Sequence, residues 1–270
     1  MPFGSSSNDN KLKNFEVMIN PQKKNFNLSI ILTACIKPIN IPFLKRTSEI
    51  DRLDDYKKAF IKWCKNELVD KIIFIENSGY DLNFFNEESK NFPNKKIEII
   101  SSNLNNTFKK SLGKGYGEYL CLKEVFENSH TVNNTDYYLK VTGRYYIKNF
   151  NKIFDDFRKK KSDIYVCIKN NLTYVDSHVF GGSKFFFLKY VIPMASKIND
   201  TNGVFMEHCV AKATLQGIND ELKFNHFSTY PDISGIIGTN NKKIKTNIIK
   251  KMKLFFYGKM KSYFLSNKKY

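Results

Sequence analysis

The sequence predicts an α/β domain around a mixed, mainly parallel sheet, followed by a basic helical tail. Three observations lead there. Short apolar runs alternate along the chain with stretches of helical period, the rhythm of successive βα units. Those runs, with "LSIILTACI" (28–36) the first, are apolar at nearly every position, as strands covered on both faces are. The 270 residues, 41% hydrophobic and 15% aromatic, suffice for one generous domain with a real core.

Residues 1–26 are polar and rich in Asn and Lys, and read as a flexible arm. The first strand then runs to Lys37-Pro38. Residues 48–68 predict a helix: Ser48 is placed to cap it, and Ile50, Leu53, Tyr56, Phe60, Trp63 and Cys64 recur at helical spacing. "KIIFIENSGYD" (71–81) and "KIEIISS" (96–102) are the second and third strands. "GKGYGEYLCLKEVFENS" (113–129) is a glycine-rich loop opening a helix. "DYYLKVTGRYY" and "SDIYVCIKN" are the fourth and fifth strands, and "HVFGGSKFFFLKYVI" (178–192) is a strand running towards a helix. "GVFMEHCVAKATLQGI" (203–218) is the last helix of the domain, which is assigned residues 27–240, and residues 241–270 form the tail.

Charge is unevenly placed. Net charge is +18, yet the last 30 residues hold ten Lys and no Asp or Glu. An anionic partner surface, membrane or nucleic acid, is the expectation for such a tail. The five cysteines are widely spaced, without a CxxC pair, so buried free thiols are expected rather than a zinc site or a disulfide framework. No apolar run has the length of a membrane span.

In parallel sheets ligands sit beyond the carboxyl ends of the strands. The polar ends here are Thr33 to Lys37, Glu76 to Asp81, and Lys140 to Arg144. A lysine within an apolar strand is costly to bury unless it is paired or meets an anion, and Arg144 offers a planar fork for phosphate. Two cations at one strand end suit a diphosphate; the plain alternative is a salt bridge from Lys140 to Asp136, Glu118 or Glu207. Gly113, Gly115 and Gly117 leave a backbone that a ligand can approach, with Lys114 adding charge, or they form only a pliant start to a helix. Glu207 and Asp176 are the candidate general bases for activating a hydroxyl. His178, His208 and His226 lack metal-ligand spacing and read as structural or surface residues.

The segments "ILTACIKP", "RLDDYKKAFIKW", "FIENSGYDL", "GKGYGEYLCLKEVF", "YYLKVTGRYYIKN" and "MEHCVAKA" cover most of residues 29–213. In order and spacing they resemble short bacterial glycosyltransferases of the GT-A-like type, from lipopolysaccharide, O-antigen and capsule synthesis. The resemblance implies a Rossmann-related GT-A-like domain that moves a sugar from a nucleotide-sugar donor to a hydroxyl of a lipid-linked or other glycan. It places Thr33, Ala34 and Lys37 against the nucleotide, Arg52 on the following helix, and Asn77, Ser78 and Asp81 near base or ribose. Gly113, Lys114 and Gly115 would flank the donor, with Lys140, Thr142, Gly143 and Arg144 at its diphosphate. Relatives carry a DxD metal motif where this chain has "KVTGR". No metal ligand is therefore assigned, Mg2+ or Mn2+ stays an open alternative, and the expectation is that Lys140 and Arg144 neutralise the leaving diphosphate.

In the tail, Ile248, Met252, Phe255, Phe256 and Tyr263 share a helical face, with Lys250, Lys253 and Lys261 elsewhere and Gly258 weakening the helix. That pattern favours the inner face of a cell membrane met from the cytoplasm, with a terminal helix packed on the domain as the plain alternative. Two rival functions remain. A nucleotidyltransferase would share the sheet but need acidic metal ligands; a nucleic-acid-binding protein would show a recognition motif and charge spread along the domain, and neither is present.

Overall fold

The computed structural model describes residues 26–244 and 248–265. The expected arm, Phe26 apart, lies outside them. The elements in order are β1 (Leu28–Ala34), α1 (Glu49–Cys64), β2 (Lys71–Glu76), α2 (Asn83–Lys90), β3 (Lys96–Ser101), α3 (Gly113–Asn128) and β4 (Tyr137–Thr142). Then follow α4 (Phe150–Lys160), β5 (Ile164–Val166), β6 (Val179–Ser183), α5 (Met206–Asn219), β7 (Phe224–His226) and α6 (Ile248–Leu265).

Seven strands form one sheet in the order β7-β5-β6-β4-β1-β2-β3. All neighbours are parallel except β6, which runs antiparallel to both β4 and β5. The reason is local. Parallel neighbours need a crossover, usually a helix, whereas β5 reaches β6 through a small ribbon, Ile168–Lys169 against Tyr174–Val175. The predicted class, α/β with a mixed and mainly parallel sheet, is what the chain builds.

Strand alternation divides the core in two. Ile30, Leu32, Phe74, Leu139 and Val141 pack beneath Tyr56, Phe60 and Trp63 of α1, Phe85 of α2 and Phe154 of α4. Ile31, Ile73, Ile75, Tyr138 and Phe180 face the other way, onto Leu122 and Val125 of α3 and Val210 and Ala213 of α5. With both faces covered, β1 and β4 are apolar almost throughout. Ser48 caps α1 as its sequence predicts, its hydroxyl accepting from the Asp51 N–H at 3.3 Å. The thiols are free, and Cys64, Cys121, Cys167 and Cys209 are buried. No described helix is long and apolar enough to cross a membrane.

The tail helix α6 is docked on the domain, the second of the two readings its sequence allows. Gly258 lies against the domain: a Cβ there would meet the Ser228 carbonyl oxygen at 2.9 Å. Lys261 donates to the Ile168 carbonyl at 3.1 Å, and Lys160 reaches the Ser262 hydroxyl at 2.9 Å. Met252, Phe256, Met260, Tyr263 and Phe264 nevertheless remain exposed as a stripe, Phe264 at 73%. The side chains of Ile248, Lys250, Lys253 and Phe255 lie outside the described residues.

Candidate functional site

The sheet reverses its order of growth between β1 and β4, and a cleft of about 700 Å³ opens at their carboxyl ends. Its wall brings together Thr33, Ala34, Arg52, Asn77, Lys114, Thr142 and Arg144, all predicted from sequence. Cys35, Tyr56 and Glu118 join them from the same segments, and Asn105 with Phe108 and Ser177 with His178 from two others.

Lys140 is not on that wall. Alternation along β4 turns Tyr138, Lys140 and Thr142 towards α3, and Lys140 is 0% exposed. Its ammonium pairs with Glu118 Oε1 and donates to the Ser177 carbonyl at 2.6 Å and to Thr142 Oγ1 at 3.4 Å. Glu118 Oε1 also accepts from Thr33 Oγ1 at 2.9 Å and Thr142 Oγ1 at 3.3 Å. Burial alone would raise the Glu118 carboxyl, but Lys140 and Thr33 hold it below the usual carboxylate range. The expectation that Lys140 and Arg144 converge on one anion is therefore corrected: Lys140 is a structural partner of Glu118.

Arg144 takes the other course. Beyond Thr142 the chain turns at Gly143, whose N–H donates to the Thr33 carbonyl at 2.8 Å. A Cβ on Gly143 would stand 2.8 Å from that same oxygen, so this glycine serves the turn rather than a ligand. The turn carries the guanidinium to the cleft mouth, where Nε donates to the Ile236 carbonyl at 3.1 Å. Arg52 is buried at the cleft floor, donating to the carbonyls of Cys35 at 2.7 Å and Arg46 at 3.1 Å and to the Tyr56 hydroxyl at 3.0 Å. Among the described residues neither Arg144, Arg52 nor Lys114 forms an ion pair. A buried cation is normally paired. Buried Arg52, half-buried Arg144 and exposed Lys114 on one wall, with Glu118 the only carboxylate among its named residues and already engaged, make a site suited to an anion.

Two buried amides add to this. Asn77 is 3% exposed and Asn105 2%, and among the described residues Asn77 Oδ1 and Asn105 Nδ2 have no hydrogen-bond partner. The Asn77 amide, on the cleft wall, is oriented by its Nδ2, which donates to the Gly117 carbonyl at 3.0 Å and leaves the buried Oδ1 as the unpartnered atom. Asn105 gave no signal in the sequence. It arrives on a short turn whose backbone N–H donates to the Asn77 carbonyl at 2.7 Å. Burial pushes the Cys35 thiol up to about 11, which disfavours its thiolate.

The glycine-rich stretch is the start of α3, with Lys114, Gly117 and Glu118 on the cleft wall and Gly113 and Gly115 turned to Asp200. Gly113, with φ +84°, and Gly115 make room for Asp200: a Cβ at Gly113 would meet its Oδ2 at 2.2 Å. The Gly115 N–H donates to Asp200 at 3.2 Å, so the protein's own carboxylate occupies the amino end of α3. Lys37 and Ser78 are tied to each other instead of to the cleft, the Lys37 N–H donating to Ser78 Oγ at 3.0 Å. Asp81 accepts from the Asn83 N–H at 3.0 Å and braces the start of α2. Glu207 lies in the first turn of α5, off the cleft wall, and accepts from Ser177 Oγ at 2.6 Å. Asp176 lies outside this cleft and is hydrogen-bonded to His178, which is on its wall.

The donor set does not fit a divalent cation. At the end of β4 stand Lys140, Thr142 and Arg144, and among the described residues no group of three His, Cys, Asp or Glu side chains is placed to share an ion.

No protein-family model matches the chain, and no curated protein matches it in sequence. Solved structures do resemble it. A core-mannan synthase A from Aspergillus fumigatus in its Mn/GDP form is 10% identical over 89% of this chain and 85% of its own, with a TM-score of 0.43. A cytidylyltransferase from Leptospira borgpetersenii is 12% identical over 91% and 99%, with a TM-score of 0.42. A nucleotide-diphospho-sugar transferase from Desulfovibrio desulfuricans is 9% identical over 73% and 78%, with a TM-score of 0.41. With so little shared, these likenesses assign no activity.

Proposed function

We propose that the protein is a glycosyltransferase that moves a sugar from a nucleotide-sugar donor to a hydroxyl of an acceptor glycan. The observation that carries this reading is the cleft wall on which Arg52, Lys114 and Arg144 meet without an ion-pair partner among the described residues. The diphosphate lies towards Lys114 and Arg144, fixed cations that stabilise it as a leaving group without a shared metal. The base lies towards the amides of Asn77 and Asn105, whose buried Oδ1 and Nδ2 have no partner among the described residues. Burying either amide without a partner is unfavourable, and a nucleobase edge supplies the missing hydrogen bonds.

The acceptor class, a lipid-linked, lipopolysaccharide or capsule glycan at the inner face of a bacterial membrane, follows from the family resemblance. The exposed stripe on α6 and the ten lysines of the tail support a membrane surface as partner.

Thermal shift against UDP-, GDP- and CMP-sugars, with magnesium, with manganese and with EDTA, tests the donor reading. Sugars of one nucleotide should raise Tm, and at a hundredfold excess over Kd the gain is about 2.7 kcal/mol. EDTA should leave the shift intact and Arg144→Ala should abolish it. A shift seen only with a nucleoside triphosphate and metal would mean nucleotidyl transfer instead.

A further inference from the structure

Beside the nucleotide cleft lies a second, wider cavity, about 1860 Å³ including its mouth. Its apolar wall comes from Phe227, Tyr230, Ile233 and Ile237 and, from the tail helix, Met252 and Phe256. The residue common to the walls of both cavities is His178.

Ser177 and His178 form a turn between two strands, which sends the Ser177 carbonyl to Lys140 and its hydroxyl to Glu207 and brings His178 back onto Asp176. Asp176 Oδ1 accepts from His178 Nδ1 at 2.7 Å and from the His178 N–H at 3.2 Å. Lys169 holds the second oxygen at 3.0 Å. Burial alone would raise the Asp176 carboxyl, but His178 and Lys169 keep it well below the usual range, so it stays an acceptor. That hydrogen bond assigns the proton to Nδ1 and leaves the Nε2 lone pair open. Nε2 has no partner among the described residues. The ring is further set by Tyr145, edge-on at 5.2 Å.

We propose that His178 is the general base of the transfer, taking the proton of an acceptor hydroxyl delivered through the second cavity, with Asp176 as its positioning residue; this rests on the donor reading above. In the step, the acceptor O–H bond breaks and its proton passes to Nε2. The acceptor oxygen bonds to the anomeric carbon, whose bond to the diphosphate oxygen breaks, and the electron pair leaves with the nucleoside diphosphate. Asp176 balances the imidazolium until its proton returns to solvent as product departs. A single displacement inverts the anomeric configuration. The apolar wall suits an acceptor whose sugar is carried on a hydrocarbon chain.

Other charged or titratable groups surround the ring. Arg144 and Tyr145 come from the turn after β4, Glu118 and Lys114 from α3 across the cleft, and Lys152, Tyr230 and Asp232 from the far wall of the second cavity. A pH profile is therefore informative only as a difference between variants.

The experiment uses the full chain, the donor that most raises its Tm, and octyl glucoside, octyl galactoside and octyl mannoside as acceptors. It follows nucleoside diphosphate release from pH 5 to 9 and reads the product anomer by NMR. His178→Gln should keep the donor-induced Tm shift and the donor KM, lose about 100-fold or more in kcat, and lose the acid limb of the profile. Asp176→Asn should lose less and displace that limb. His178→Gln within about threefold of the parent rate, or product of retained configuration, would overturn the base role. Loss of the donor shift in His178→Gln would equally overturn it, by moving the residue into donor binding. A parent protein that binds no nucleotide-sugar would defeat the donor reading first.

Discussion

Replacing Glu118 by Gln should test the inner half of the site, because the change keeps the side chain's shape while leaving Lys140 charged and without its carboxylate. Lys140 is fully buried, and its remaining partners are the Ser177 carbonyl at 2.6 Å and the Thr142 hydroxyl at 3.4 Å. Breaking a buried ion pair from one side costs about 3–5 kcal/mol. The two surviving hydrogen bonds place the expectation at the lower end, about 3 kcal/mol. For a domain of this size that lowers Tm by about 6–12 °C. Urea unfolding of the parent, Glu118→Gln, Lys140→Met and the double variant closes a cycle. The double variant should recover to within about 1 kcal/mol of the parent, because no charge is left stranded. A Glu118→Gln cost below about 1 kcal/mol, or a double variant worse than the single one, would refute the account of Lys140 as a structural cation.

Gly113→Ala should destabilise by about 1–3 kcal/mol, since the position holds φ +84° and its Cβ would strike Asp200; a denaturation midpoint equal to the parent's would contradict this. Glu98 accepts from Ser129 Oγ at 2.6 Å and from the N–H groups of His130 and Thr131 at 3.1 and 2.9 Å. Burial would raise its carboxyl, but these bonds draw it below the ordinary value of 4.5. Its stabilisation is present above the unfolded pKa and lost as pH falls through the lower folded one. The deficit of Glu98→Gln at pH 7 should accordingly shrink on acidification, and a deficit that grows instead would reverse the sign. Met260→Ser with Phe264→Ser alters two exposed side chains of α6 and should weaken sedimentation with phosphatidylglycerol vesicles by tenfold or more while leaving Tm unchanged. Equal sedimentation would remove the tail's stripe from membrane binding.

Local chemistry fixed much of this molecule. The β-branched runs, the Ser48 cap and the helical spacing of Tyr56, Phe60 and Trp63 place the elements, because periodicity and capping act over a few residues. The same local logic put Thr33, Asn77, Thr142 and Arg144 at strand ends, where the cleft formed. What depended on packing was which partner each polar group found. Lys140 and Arg144 look alike in sequence, yet strand alternation turned one to Glu118 while the turn at Gly143 carried the other to the cleft mouth. Gly113 and Gly115 of α3 looked ready for a ligand and received Asp200, which reaches them from beyond β6. His178 read as a lone histidine because nothing near it in sequence reveals that two cavities meet at its ring. Backbone preference is decided between neighbours, whereas the pairing of charges and amides is decided between segments the fold brings together. That is why the position of the site was legible and its division of labour was not.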